Sequence, residues 1–139
     1  MTTLVAIAVA VVFLLLSGLH VYWAAGGPWG KTVSVPQRGA EPLFRPSRRA
    51  TLAVAILLAA AAALVAARLG TSPGSPLDTL FLWAERGLSA IFALRAVGDF
   101  HWAGFFKRVR GTPFAKLDTW AYSPLCLLLS LACFYLALH

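Results

Sequence analysis

Four stretches of the chain are almost entirely apolar and are separated by more polar links. They cover residues 4–25, 51–69, 79–97 and 122–138. At a rise of about 1.5 Å per residue, stretches of this length match a bilayer hydrocarbon core of about 30 Å. The pattern therefore predicts an all-α integral membrane protein, an up-down-up-down bundle of four transmembrane helices that forms a single domain over residues 1–139.

The composition excludes the other broad classes of protein. Hydrophobic residues make up 60% of the chain and charged residues 12%, against about 25% charged residues in soluble domains. Too little polar surface remains for a soluble globule, and the blocks of apolar residues exclude a disordered chain. The first apolar stretch is longer than the core of a signal peptide, about 7–15 residues, and no basic residue precedes it. We expect it to be retained as a helix.

Basic residues are distributed unevenly among the links. The links after helices 1 and 3 contain nine, whereas the opposite side of the bundle has Arg68 and little else. By the positive-inside rule, both long links are cytoplasmic and both termini lie outside. The net charge of +7 thus indicates orientation and contact with anionic membrane lipids, and no nucleic-acid partner is expected. The nine residues are Lys31, Arg38, Arg45, Arg48, Arg49, Lys107, Arg108, Arg110 and Lys116.

The link after helix 3 has its own apolar period. Trp102, Phe105, Phe106 and Val109 recur with helical spacing, and basic residues fall between them. This predicts a short interfacial amphipathic helix, which either anchors the bundle in the headgroup layer or draws an anionic lipid toward a site.

Helix 3 carries charges at membrane depth. Asp78, Glu85, Arg95 and Asp99 fall on one arc of the helix, and Arg86 points elsewhere. A charge in the bilayer centre costs at least about 2.5–3.5 kcal/mol, so Glu85, Arg95 and Asp99 are expected to form a buried polar stripe in which Arg95 pairs with Asp99. Such a stripe either holds helices together through ion pairs or forms a ligand or catalytic site.

Helix 1 offers His20 near its cytoplasmic end, where an imidazole could act as an acid or base together with Asp99. His20 and Asp99 are the candidate catalytic residues. No metal and no other cofactor is expected, since the histidines lack clustered ligand partners. Cys126 and Cys133 lie seven residues apart in one helix, about 10 Å along its axis, which is too far for a disulfide.

Three segments carry a family resemblance: HVYWAAGG at residues 20–27, RAVGDF at 95–100 followed by GFFK at 104–107, and FAKLDTWAYSPLC at 114–126. Together they resemble signatures of a family of small bacterial four-helix membrane proteins, the domain of unknown function numbered 3995. The resemblance covers nearly the whole chain, although helix 2 matches only as generic hydrophobic sequence. It implies the four-helix fold and a bacterial cytoplasmic (inner) membrane, and it implies no activity.

All three segments lie at the cytoplasmic ends of helices 1, 3 and 4. They either mark a common ligand-binding site or only fold the cytoplasmic cap, with Asp118 or Thr119 capping helix 4. The candidate ligand-binding residues are His20, Trp23, Arg95, Asp99, Asp118 and Tyr122.

Three functional hypotheses follow. The first is binding of a lipid-like or isoprenoid-like small molecule at this cluster, with or without acid/base chemistry. The second is a non-catalytic accessory or scaffold subunit of a membrane complex, as a homo-oligomer or with a membrane-protein partner. The third is a small proton or ion pathway along the polar stripe. The sequence leaves open whether the protein is an enzyme.

Overall fold

The computed structural model describes residues 1–139 and contains four long helices. They are α1 (Thr2–Ala24), α2 (Arg48–Arg68), α3 (Pro76–Val97) and α4 (Pro113–Leu136). The link between α1 and α2 contains a 3₁₀ turn at Lys31–Val33 and a minimal antiparallel ladder, in which β1 (Gln37–Arg38) pairs with β2 (Glu41–Pro42). The prediction of an all-α fold built on four helices is confirmed.

Three of these helices, α1, α2 and α4, are long and apolar enough to cross a membrane, which indicates a membrane protein. The remaining long helix, α3, has 22 residues and also carries four charged side chains, Asp78, Glu85, Arg86 and Arg95. Its relation to the membrane therefore depends on how those charges are neutralised.

Side-chain caps set where three helices begin. Ser47 accepts a hydrogen bond from the Ala50 N–H at the start of α2, and Ser75 caps α3 in the same way. Thr112 caps α4 by accepting from the Ala115 N–H, and Pro113 follows it at the first helical position. Helix α4 thus begins nine residues before residue 122, where the apolar stretch starts. The predicted N-cap at Asp118 or Thr119 is wrong, because the helix has already started at its N-cap Thr112.

Helix α4 changes its winding in the middle. Residues Asp118–Tyr122 form a π-helical turn, and the Ser123 N–H donates to the Asp118 carbonyl, five residues earlier. The regular helix resumes at Ser123. Pro124, which has no N–H to donate, follows directly, so the wider turn lies where an α-helical hydrogen bond would be lost anyway. This turn places Asp118 on the inner side of the bundle.

The predicted amphipathic helix between helices 3 and 4 is not formed. Residues 98–112 instead fold as a compact loop. Gly98 and Gly104 have φ angles of +88° and +89°, and a Cβ on either would overlap the backbone of the other's segment. The close approach of these two glycines and the backbone hydrogen bonds of Asp99 hold the loop in a non-helical conformation. The helical spacing of its aromatic residues therefore does not produce a helix.

Helix α1 packs mainly on α2, and α3 packs mainly on α4. Ser17 donates to the Ala55 carbonyl across the first pair, and Ser130 donates to the Ser89 carbonyl across the second. The core joins both pairs. It consists of Ala6, Val9, Ala10, Phe13, Ala61, Ala62, Val65, Leu129, Cys133 and Leu136. Phe13 stacks on Phe92 of α3, with ring centroids 5.4 Å apart.

Candidate functional site

A fully buried carboxylate organises the end of the bundle where α3 ends and α4 begins. Asp118 is 0% exposed. Its Oδ1 accepts from Nη2 of Arg95 at 2.8 Å, and its Oδ2 accepts from Nζ of Lys107 at 3.0 Å and from the Gly104 N–H at 2.7 Å. Asp118 therefore ties α3, the 98–112 loop and α4 together.

Lys107 is almost as deeply buried, at 2% exposure, although its position between aromatic residues suggested an outward face. Its Nζ also donates to the Gly104 carbonyl at 2.9 Å and to Oγ1 of Thr119 at 2.7 Å. Lys107 and Arg95 share one carboxylate, so this cluster carries one excess positive charge. Arg95 is the partly exposed member of the cluster, at 37% side-chain exposure, and its positive charge favours an anion as its neighbour.

The predicted ion pair between Arg95 and Asp99 is wrong. Helix α3 ends at Val97, and the Gly98 backbone turns away from helical geometry, so the two residues are not one helical turn apart. Asp99 instead accepts from the N–H groups of the next residues, His101, Trp102 and Ala103, at 2.7–3.0 Å. Burial opposes ionisation of Asp99, but these donors outweigh it and hold the pKa of the carboxyl below its ordinary value.

Arg95 is only partly satisfied. Its Nη2 is bound to Asp118, whereas its Nη1 is buried and has no hydrogen-bond partner. Buried polar atoms are nearly always hydrogen-bonded, so Nη1 is an exception, while 37% of the Arg95 side chain as a whole is exposed.

Arg95 borders a cleft of about 330 Å³ between the two helix pairs. The walls are mostly apolar, and the cleft lies between the second half of α1, the first half of α2, the last two turns of α3 and the middle of α4. Its lining residues are Leu16, Leu19, His20, Trp23, Ser34, Val54, Leu58, Phe92, Arg95, Tyr122, Leu125, Cys126 and Leu129.

His20 and Tyr122 also place polar ring side chains in the cleft. Nδ1 of His20 lies 2.7 Å from the Leu16 carbonyl, which can only accept, so Nδ1 carries a proton and Nε2 is the ring nitrogen left over. The His20 ring packs edge-on against Trp23. The Tyr122 hydroxyl donates to the Val33 carbonyl at 3.2 Å and so joins the α1–α2 link to α4.

The structure thus brings together most of the candidate residues. His20, Trp23, Arg95 and Tyr122 line the cleft, and Asp118 lies behind Arg95. Asp99 is not among the lining residues. Sequence reasoning missed Lys107, whose charge is turned inward by a carboxylate eleven residues further along the chain.

A second charged cluster occupies the opposite end of the bundle. Arg68 at the end of α2 bonds to Asp78, to Glu85 and to the Leu136 carbonyl. Glu85 is 1% exposed. The predicted stripe of Glu85, Arg95 and Asp99 is therefore wrong as a single network, because the first two belong to clusters at opposite ends and the third lies in the loop.

The titratable groups do not form an obvious metal site. No group of three or more His, Cys, Asp or Glu side chains is placed to hold a metal ion. Cys126 and Cys133 are both free thiols, and only Cys126 reaches the cleft.

The family model described as protein of unknown function (DUF3995) matches residues 3–133, so the chain belongs to this family. No curated protein and no solved structure matches the chain.

Proposed function

We propose that this protein is a four-span protein of the bacterial cytoplasmic membrane whose cleft binds an anionic amphiphile, a lipid-like molecule with one negatively charged group and an apolar chain. Arg95 carries this proposal, because it lines an apolar cleft, 37% of its side chain is exposed, and it shares a single carboxylate with Lys107. Guanidinium groups form strong, charge-assisted hydrogen bonds with carboxylates and phosphates.

The internal pairing of its charges supports α3 as the fourth span. Arg68 forms ion pairs with both Glu85 and Asp78 on the inner face of α3, and Asp118 pairs with Arg95. Charged residues in membranes normally face the bundle interior and pair there. The start of α1 lies beside the ends of α2 and α4, around Arg68, which supports an up-down-up-down course.

The orientation proposal gives a labelling prediction. In a background without the two native cysteines, we expect Ala40→Cys and Gly111→Cys to react only with reagents that reach the cytoplasm, and Ser72→Cys to react only from outside. All three positions are exposed, whereas Gln37 in the same link is buried and would be a poor probe. The reverse labelling pattern would invert the topology and move the cleft to the other leaflet.

The charge balance supports an anionic rather than a cationic ligand. Arg95 and Lys107 face one carboxylate, so a single negative group on the ligand would neutralise the cluster. The apolar walls, from Leu16 of α1 to Leu129 of α4, offer space to a hydrocarbon or isoprenoid chain. A cleft of about 330 Å³ is at the small end of known ligand sites, roughly 300–1,000 Å³.

Acid/base chemistry has weaker support than binding. His20 is the cleft residue with an imidazole, the commonest general acid or base in enzymes, and its Nε2 is not engaged in the helix hydrogen bond. Asp99 is held in the 98–112 loop and does not line the cleft. A catalytic pair of His20 and Asp99 is therefore not part of this proposal.

An ion pathway is not supported by the packing between the two charged clusters. Phe13 and Cys133 are fully buried there, Leu129 is only 4% exposed, and Ser89 and Ser130 bond to each other. The cavity around Arg68 and the cleft around Arg95 share no lining residue.

Binding can be tested by native mass spectrometry of the protein in a non-ionic detergent, with dodecanoate, dodecyl phosphate and dodecyltrimethylammonium as probes. We expect one molecule of either anion to bind each chain and the cation not to bind. Arg95→Gln should weaken anion binding about tenfold or more, since a hydrogen bond to a charged group contributes roughly 1.5–3 kcal/mol.

Arg108→Gln is the matched control, because Arg108 is an exposed arginine of the adjoining loop and lies outside the cleft. It should leave binding unchanged. Equal uptake of the cationic and anionic probes, or an Arg95→Gln variant that is folded and binds as the parent does, would contradict the proposal.

A further inference from the structure

Arg86 differs from every other charged residue in the four helices. Arg48, Arg49, Arg68 and Lys116 lie within about a turn of a helix end, and Asp78, Glu85, Arg95 and Asp118 are bonded to opposite charges. Arg86 is exposed, has no ion pair and lies near the middle of α3, about 15 Å along the axis from either end.

The guanidinium of Arg86 lies over the ring of Trp83, with Cζ 4.8 Å from the ring centroid. This cation–π contact moves the charge by only one turn toward the start of α3. The exposed surface of α3 around and beside Arg86 is otherwise apolar, with Leu80, Ile91 and Leu94 each at least 60% exposed. Arg86 thus presents a positive charge on a surface that the proposed span turns toward lipid.

Small residues adjoin the charge. Gly87 and Ala90 are both exposed, and a Cβ on Gly87 would meet no atom within 4 Å. Small residues let the backbones of membrane helices approach closely, and polar side chains then bond across the contact. The small residues would let a neighbouring helix approach closely, and Arg86 could then bond to a polar side chain of that helix.

We propose that this face of α3 docks a transmembrane helix of a different membrane protein, one that carries a carboxylate at the depth of Arg86. The proposal rests on α3 being a span and is independent of the ligand cleft. Charge complementarity excludes a second copy of this chain as the source of the carboxylate. Of the five acidic residues, Asp78, Glu85 and Asp118 are already paired, and Glu41 and Asp99 lie outside the helices. A symmetric contact would also oppose Arg86 to Arg86.

The test uses designed transmembrane peptides in phosphatidylcholine vesicles. Three leucine–alanine peptides differ only in a central Glu, Gln or Leu. Energy transfer to a dye on Ser72→Cys, in the background without the two native cysteines, reports association. We expect the Glu peptide to associate about threefold to twentyfold more tightly than the Leu peptide, the range that interhelical polar contacts provide, with Gln in between.

Arg86→Leu should remove the preference for Glu, and Arg86→Lys should keep part of it. Because the side chain is exposed, both variants should fold, as gel filtration of the purified protein would show. Equal association of the three peptides, or an unchanged preference in Arg86→Leu, would overturn the proposal. Loss of the preference in vesicles rich in phosphatidylglycerol would also overturn it, since Arg86 would then serve an anionic lipid headgroup.

Discussion

Asp118→Asn should destabilise the protein by about 3–5 kcal/mol, the usual cost of removing one partner from a buried ion pair. The substitution keeps the shape of the side chain and removes the counter-charge of both Arg95 and Lys107. Lys107 is only 2% exposed and has no other carboxylate, so its charge would remain buried without compensation. Unfolding by sodium dodecyl sulfate in mixed micelles, followed by circular dichroism, measures the change.

Asp99→Asn is the control for that measurement. Asp99 lies in the 98–112 loop, at the same end of the bundle, and accepts three backbone hydrogen bonds. It is exposed, however, and an amide oxygen can accept the same bonds. We expect a loss of about 1 kcal/mol or less. Equal losses of stability for the two variants would mean that the ion pairs of Asp118 do not hold this end of the bundle together.

Arg68→Leu should have an effect of similar size at the opposite end of the bundle. It leaves Glu85, which is 1% exposed, without its positive partner, and it removes a donor from the Leu136 carbonyl. A carboxylate stranded in this way must either stay charged at high cost or take up a proton. We expect a loss of about 3–5 kcal/mol in the same unfolding assay.

Two further variants separate the ion pair from general effects of losing an arginine. Arg86→Leu removes an exposed arginine from α3 and should not destabilise the protein in detergent. The double variant Arg68→Leu with Glu85→Leu should recover most of the loss, because Asp78 keeps its hydrogen bond from the Gly74 N–H. If the double variant is as unstable as Arg68→Leu, the loss does not come from the unpaired Glu85.

The parts of the fold that depend on local apolar pattern were predictable from the sequence. The four apolar stretches gave the four helices, with ends that are wrong by up to nine residues. The error of nine residues is at the start of α4, where the Thr112–Pro113 pair is a start signal that hydropathy alone does not detect. The π turn at Asp118–Tyr122 has no comparably clear signal, although Pro124 hints at irregular winding.

The ion pairs were less predictable, because their partners come from different elements. Helical spacing suggested that Arg95 pairs with Asp99, but this required α3 to continue past Gly98. Gly98 directly after an apolar run is itself a signal for a helix end. The true partner, Asp118, is 23 residues away from Arg95, and a period within one helix cannot find it.

The cluster at Arg68 could have been anticipated from the positions of its residues along α2 and α3. Arg68 ends α2, and Asp78 and Glu85 lie in the first half of α3, so a short turn between antiparallel helices brings them to the same level. By contrast, Lys107 fits an outward-facing amphipathic pattern. Only the packing of its loop against Asp118 turns it inward.

Photocrosslinking tests most directly whether an anionic amphiphile occupies the cleft beside Arg95. A fatty acid with a diazirine on its chain would be irradiated with the protein in detergent, and the labelled residues would be identified by mass spectrometry. We expect labels on cleft residues such as Leu58, Leu125 and Cys126, and their loss in Arg95→Gln. Labels confined to outward-facing residues such as Leu14, Leu128 and Leu131, at equal yield in the parent and Arg95→Gln, would contradict the proposed site.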